Sequence, residues 1–113
     1  MKIIILGAGQ VGSSLLASLA GEKNDIVMID LRSDLLEKLQ GRFDISTIQG
    51  NAAHPPVLAQ AGAAEADMLI AATSDDETNM LACQIYDLQR HVCSSRNREL
   101  DRCPWVKRIR IVR

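Results

Sequence analysis

The sequence predicts an α/β fold built on a doubly wound parallel sheet, and three observations support that prediction. Apolar runs recur along the chain, at residues 3–6, 26–29 and 68–72, and they are continuous rather than alternating. Strands of that kind need cover on both faces, as in a parallel sheet between two layers of helices. Segments with helical spacing separate the runs in strict alternation, which is the order of successive β-α-β units.

The remaining elements follow from the same periodicities and from the glycines, prolines and capping residues between them. Ser33 or Asp34 is expected to cap the second helix, and Gly21 and Gly41 to close the first and second. A complete unit of this kind has six strands, so we expect this sheet to be incomplete at its C-terminal end. The predicted strands are 2–6, 25–29, 45–49, 67–72 and 106–113, and the predicted helices are 10–20, 33–41, 55–61 and 75 or 76 to 89.

A glycine-rich turn joins the first strand to the first helix and reads Gly7-Ala8-Gly9-Gln10-Val11-Gly12. The G-x-G-x-x-G spacing is typical of Rossmann-like dinucleotide-binding folds. Its first glycine permits the tight turn, its second lets a pyrophosphate approach the backbone, and its third allows close packing of helix and sheet. The free N–H groups of the helix N-terminus favour an anion there. The motif therefore predicts a phosphate-binding site.

The second predicted strand ends in an acidic residue, Asp30, which follows Gly12 by 18 residues. A carboxylate at this position accepts hydrogen bonds from the adenosine ribose and repels a 2′-phosphate, so it favours NAD(H) over NADP(H). Arg32 complicates the prediction, because an arginine can hold a 2′-phosphate. The alternative role for Asp30 is to cap the second helix.

The loop after the fourth strand carries Thr73 and Ser74, which can hydrogen-bond a ribose or phosphate at the same sheet edge. Ser74 or Asp75 is also expected to cap the next helix, with Glu77 completing a capping box with Ser74. His54 follows the third strand, and no motif orients it as a catalytic base, so we expect a loop or capping residue. We predict no catalytic residues.

The composition indicates one domain over residues 1–113, with 47% hydrophobic but only 3% aromatic residues and hence an aliphatic core. No apolar run approaches the ~20 residues that span a bilayer, and the N-terminus lacks a signal-peptide pattern, so we expect a soluble intracellular protein. His91, Cys93 and Cys103 fit no metal-site spacing, and we predict no metal. Residues 90–107 form an irregular segment of a basic C-terminal region, yet they lack a nucleic-acid recognition motif, and we predict no nucleic-acid partner.

Four segments of the chain resemble the N-terminal domains of TrkA proteins, the regulatory subunits of Trk-type bacterial potassium uptake systems, in the RCK (KTN) class. The segments are residues 1–12, 49–55, 61–69 and 73–80. The resemblance implies a regulator that binds NAD(H) or, alternatively, ATP/ADP. It also implies a homodimer or higher homo-oligomer, a potassium-translocating membrane protein as partner, and a location at the inner face of the cell membrane.

The resemblance also implies a set of ligand-binding residues in the loops that the motifs occupy. It adds an arginine on the fifth strand, for which Arg108 and Arg110 are candidates, and we favour Arg110. A fragment of an NAD-dependent oxidoreductase is the alternative function. The complete predicted cofactor site is Gly7, Ala8, Gly9, Gln10, Val11, Gly12, Asp30, Arg32, Thr73, Ser74 and Arg110.

Overall fold

The computed structural model describes the backbone of residues 1–94 and 109–111 and the side chains of residues 1–89. Strands and helices alternate along this part of the chain, as the apolar periodicities predict. The strands are β1 (Lys2–Leu6), β2 (Asp25–Asp30), β3 (Ser46–Gln49), β4 (Met68–Ala71) and β5 (Ile109–Ile111). The helices are α1 (Gln10–Leu19), α2 (Ser33–Arg42), α3 (Pro55–Gln60) and α4 (Asp76–Ser94).

The five strands form one sheet in the order β3-β2-β1-β4-β5, and every neighbouring pair is parallel. The chain runs outward from β1 through β2 to β3 and then returns to the other side of β1 as β4. The strand order therefore reverses between β1 and β4, and this reversal confirms the predicted doubly wound fold.

Each face of the sheet carries its own core, because alternate residues of a strand point to opposite faces. On β1, Ile4 and Leu6 pack with residues of α3 and α4, whereas Ile3 and Ile5 pack with residues of α1 and α2. Both sets are at least 99% buried. Burial on both faces explains why the strands are continuously apolar in sequence.

The cores are mostly aliphatic, with Phe43 packed at the margin of one and Tyr86 of α4 fully buried in the other. Its hydroxyl donates a hydrogen bond of 2.8 Å to the carbonyl of Ala66, so the polar end of the ring is satisfied inside the core. A buried hydroxyl of this kind needs a partner, since leaving it unpaired costs about 1–3 kcal/mol. Tyr86 thus ties α4 to the segment that leads into β4.

Two predictions about the ends of α2 are wrong. Gly41 lies inside α2, which ends at Arg42. Neither Ser33 nor Asp34 caps α2, because Arg32 is the N-cap residue and provides no side-chain bond. Gly21 directly follows Ala20, the C-cap of α1, as predicted, but it does not adopt the positive φ of a left-handed cap.

The end of α4 also differs from the prediction, since the helix continues past residue 89 to Ser94. The first residues of the predicted irregular segment 90–107 are therefore helical, and residues 95–107 lie outside the described part of the chain. The strand predicted at 106–113 is described only as β5, where Ile109 to Ile111 pair with Leu69 to Ala71. Among the described residues, no helix is long and apolar enough to cross a membrane.

Candidate functional site

A cleft of about 790 Å³ lies at the C-terminal edge of the sheet, where the strand order reverses. This is the position at which doubly wound sheets bind ligands, and the volume is typical of small-molecule sites. The loops after β1, β2, β3 and β4 all contribute to its wall. The lining residues are Gly7, Gly9, Gln10, Val11, Ile29, Asp30, Leu31, Arg32, Gly50, Asn51, Ala52, Ala72, Thr73, Ser74, Asp75 and Thr78.

Most of the predicted cofactor residues lie on this lining, but two of the described ones do not. Ala8 and Gly12 are buried behind the glycine-rich turn. Arg110 belongs to β5 and pairs with Ile70, but its side chain lies outside the described part of the structure, as does all of Arg108. Val11 is 36% exposed and borders the cleft.

Gly7 makes the turn from β1 into the cleft with a φ of +100°, which L side chains rarely adopt. A Cβ atom here would lie 2.7 Å from the carbonyl oxygen of Ala72, in the loop after β4. Gly7 is therefore required both for its own conformation and for close contact between two loops that build the cleft.

Gly9 is different, because its φ of −74° suits any residue and a Cβ atom there would meet nothing within 4 Å. The space in front of it belongs to the cleft. Gly9 is also the N-cap residue of α1, and no side chain caps that helix. The first-turn N–H groups of α1 and the positive end of its dipole are thus available to an anion.

Gly12 lies in the first turn of α1 and is buried. A Cβ atom there would overlap the carbonyl oxygen of Gly7. The glycine was expected to let helix and sheet pack closely, but its nearest contact is the glycine-rich turn itself. Gly12 therefore sets the distance between the turn and the N-terminus of α1.

Asp30 ends β2, and both of its carboxylate oxygens accept backbone hydrogen bonds. Oδ2 accepts from the N–H of Ala8 at 2.7 Å, and Oδ1 accepts from the N–H of Arg32 at 2.8 Å. The proposed cap of α2 is wrong, because Arg32 is the N-cap residue and not part of the first helical turn. A carboxylate has about four acceptor positions, so Asp30 keeps two for a ligand while it fixes the glycine-rich turn.

The loop after β4 ends in the cap of α4, and the cap is Asp75 rather than Ser74. Asp75 Oδ1 accepts from the N–H of Glu77 at 3.2 Å, and Oδ2 accepts from the hydroxyl of Thr78 at 2.6 Å. The two helix N-termini beside the cleft therefore differ. A carboxylate already occupies that of α4, whereas that of α1 is bare, so a phosphate is directed to α1.

Thr73 is held in this loop by Asn79, a polar side chain that is completely buried. The Asn79 Nδ2 donates to the Thr73 carbonyl at 3.1 Å, and its Oδ1 accepts from the Thr73 N–H at 3.1 Å. The Thr73 hydroxyl lies 2.6 Å from the same oxygen. Asn79 was not predicted from the sequence, because its role depends on contacts between the first turn of α4 and the loop before it.

Sequence reasoning also missed Asn51 and Leu31 as lining residues. Asn51 follows β3, and its Oδ1 accepts from the N–H of Ala53 at 2.9 Å, which leaves its amide N–H groups without a partner among the described residues. Leu31 is 66% exposed at the rim of the cleft. Their position just beyond the ends of β2 and β3 was the available signal, since the C-terminal ends of all strands in a parallel sheet meet at one edge.

His54 is exposed and occupies the N-cap position of α3 without a side-chain cap bond, so it is a loop residue as expected. Cys83 is a free, buried cysteine, while the side chains of Cys93 and Cys103 are not described. Within residues 1–89, whose side chains are described, no three His, Cys, Asp or Glu residues come together as a metal site.

Fold and cleft together define a Rossmann-type nucleotide-binding domain. Residues 3–102 match the TrkA-N domain family, and the chain belongs to that family. It is 56% identical over 85 residues to the Trk system potassium uptake protein TrkA of Vibrio alginolyticus, a match that covers 75% of this chain and 19% of that protein. The chain thus spans about a fifth of the length of that relative.

Two solved structures show how widely the fold is shared. The TrkA-N domain of the inner membrane protein ybaL from Escherichia coli superposes with a TM-score of 0.67 at 19% identity, over 98% of this chain and 85% of that one. ChuY, an anaerobilin reductase from Escherichia coli O157:H7, gives a TM-score of 0.62 at 20% identity, over 82% of this chain and 46% of that one. The fold alone therefore does not separate regulators from oxidoreductases.

Proposed function

We propose that this domain binds NAD(H) or, alternatively, ATP/ADP in the cleft and acts as the nucleotide-sensing part of a potassium uptake regulator. The observation that best supports this proposal is that the N-terminus of α1, which no side chain caps, lies beside the carboxylate of Asp30. The first group suits a pyrophosphate and the second a ribose diol. Gln10, Val11, Arg32 and Ser74 complete the proposed ligand contacts on the cleft wall.

The regulatory role rests on the similarity to TrkA proteins rather than on the cleft. A nucleotide that closes the cleft changes the surface that the domain presents to its neighbours. It shifts the equilibrium between two arrangements of the domain and its neighbours only if it binds one arrangement more tightly than the other. The proposed neighbours are other copies of the domain and a potassium-translocating membrane protein. The domain would act at the cytoplasmic face of the membrane, and we propose no catalytic turnover and no nucleic-acid partner.

The test of ligand binding is calorimetric titration with NAD, NADH, NADPH, ATP and ADP. Gly9→Val places a branched side chain in the space proposed for the pyrophosphate, and its φ and surroundings allow the fold to persist. We expect binding to disappear while the melting temperature stays close to that of the wild type. Gly21→Val is the matched control, because a Cβ atom at Gly21 also meets nothing within 4 Å and Gly21 lies away from the cleft. Unchanged nucleotide affinity in Gly9→Val would contradict the proposed site.

The oxidoreductase alternative is tested by following NADH absorbance with a panel of small carbonyl compounds. Sedimentation velocity with and without nucleotide measures the assembly state of the same samples. A nucleotide-dependent change in assembly without NADH consumption supports the regulator. Consumption that scales with protein concentration and is lost in Gly9→Val would replace it with the dehydrogenase function.

A further inference from the structure

The hydroxyl of Thr73 has its proton committed inside the protein. Asn79 cannot be flipped, since the N–H of Thr73 can only donate to it and the carbonyl of Thr73 can only accept from it. The Asn79 Oδ1 is therefore the acceptor facing the hydroxyl at 2.6 Å, and the carbonyl of Asp75 is a second acceptor at 3.1 Å. Either acceptor takes the single hydroxyl proton.

One of the two lone pairs of the hydroxyl is also occupied, because the N–H of Asp75 donates to it at 3.3 Å. One lone pair remains for the cleft. Thr73 can thus accept a hydrogen bond from a ligand, but it can donate one only by breaking an internal bond. Its side chain complements a hydroxyl or N–H donor and does not complement a phosphate oxygen.

The position of Thr73 indicates which part of a nucleotide it meets. β2 and β4 flank β1 in the sheet, so the ends of β2 and β4 are about 10 Å apart. If the adenosine ribose lies at Asp30 and the pyrophosphate at the N-terminus of α1, the group beyond the pyrophosphate lies at Thr73. In a dinucleotide that group is a second ribose, which carries hydroxyl donors. In a nucleoside triphosphate it is a terminal phosphate, which offers only acceptors at neutral pH and faces the carboxylate of Asp75.

We propose that Thr73 is a specificity-determining residue whose hydroxyl accepts a hydrogen bond from a hydroxyl group of the second ribose. Asn79 is the positioning residue that orients it. Thr73 thereby favours a dinucleotide over a nucleoside triphosphate. This inference rests on the proposed nucleotide site and goes further, because it assigns the region beyond the pyrophosphate. Ser74 differs from its neighbour, since its hydroxyl is exposed and has no partner among the described residues.

The experiment compares ADP with ADP-ribose, which differ by the second ribose, using calorimetry on the full chain. NADH and ATP are titrated beside them. Thr73→Val keeps the side-chain shape and removes the acceptor. We expect it to weaken ADP-ribose and NADH by about three- to tenfold, the range of one hydrogen bond, while ADP changes by less than about twofold. Affinity for ATP should stay the same or rise.

Two further variants separate recognition from folding. Thr73→Ser keeps the hydroxyl and should retain the wild-type ratio of ADP-ribose to ADP affinity, even if the melting temperature falls. Thr47→Val makes the same change on β3, outside the cleft, and should alter no affinity. Asn79→Ala removes the nearer acceptor of the Thr73 proton and leaves the Asp75 carbonyl at 3.1 Å as its remaining acceptor among the described residues, so the hydroxyl can donate to a phosphate more readily. The ratio of ADP-ribose to ATP affinity should therefore drop, which a purely structural role for Asn79 would not cause.

Equal losses for ADP and ADP-ribose in Thr73→Val, or no loss for either, would overturn the inference and leave the nucleotide site standing. A wild-type protein that binds ADP-ribose no better than ADP would do the same. Absence of binding of NADH, ADP-ribose, ADP and ATP alike by the wild type would overturn the proposed function together with this inference.

Discussion

Replacing Asp30 with asparagine tests whether this carboxylate recognises a ribose or only holds the glycine-rich turn. The carboxylate accepts two backbone N–H groups, that of Ala8 in a partly buried bond and that of Arg32 in an exposed one. Asparagine has one acceptor oxygen, so it can serve only one of them. We expect the oxygen to turn to Ala8, while the N–H of Arg32 bonds to water. The free energy of unfolding should fall by about 0.5–1.5 kcal/mol, the value of one such bond.

The effect on ligands should be larger and should differ in sign between the two cofactors. Charge-assisted bonds to the ribose diol contribute about 1.5–3 kcal/mol, so Asp30→Ala should weaken NADH binding by about ten- to a hundredfold. Asp30→Asn should fall between the wild type and Asp30→Ala. NADPH should bind both variants better than it binds the wild type, because the charge that repels its 2′-phosphate is gone and Arg32 remains on the cleft wall.

Calorimetric titration of the wild type and both variants with NADH and NADPH provides the ratio of the two affinities, and chemical denaturation provides the stability. A purely structural Asp30 would lower stability and weaken both cofactors alike, with the ratio unchanged. That outcome, or equal affinity of the wild type for NADH and NADPH, would refute the ribose assignment.

Two further predictions concern packing and charge. Gly12→Ala should lower the free energy of unfolding by about 1–3 kcal/mol and weaken nucleotide binding, because the added Cβ overlaps the carbonyl of Gly7. Gly41→Ala in α2 meets open space and should raise the free energy of unfolding by about 0.5–1 kcal/mol. Similar denaturation midpoints for the two variants would contradict this prediction. Burial raises the pKa of the Asp87 carboxyl above its usual 3.8. The native state therefore loses stability as the pH rises from the usual pKa to the raised one, where the carboxyl ionises. Asp87→Asn should be more stable than the wild type at pH 7 but not at pH 3. The same variant should lower the pKa of Cys83, which burial first and Asp87 second raise to about 11, and thiol alkylation against pH measures that change.

The order of the elements and most of the cleft were predictable from the sequence, because their signals are local. Continuous apolar runs, the spacing of Gly7, Gly9 and Gly12, and an acidic residue after β2 each reflect a requirement of a few neighbouring residues. The parallel sheet, the reversal beside β1 and the approach of the four loops follow from the alternation of those elements. The family resemblance rested on the same loops, and the match over residues 3–102 confirms it.

The details that decide how the cleft works depend on side-chain contacts between residues that are not neighbours in the sequence. Asp30 reaches the N–H of Ala8 across 22 positions, so the sequence predicted its charge but not its second task in fixing the turn. The N-cap of α2 at Arg32 and the extension of α4 to Ser94 also differ from the sequence prediction, whereas Asp75 was one of the two predicted caps of α4. The hydrogen bonds of Asn79 to Thr73 turn a hydroxyl that can donate or accept into an acceptor only. The sequence specifies the type of each side chain, but the hydrogen-bonding partners that the tertiary structure places around a hydroxyl decide whether it donates or accepts.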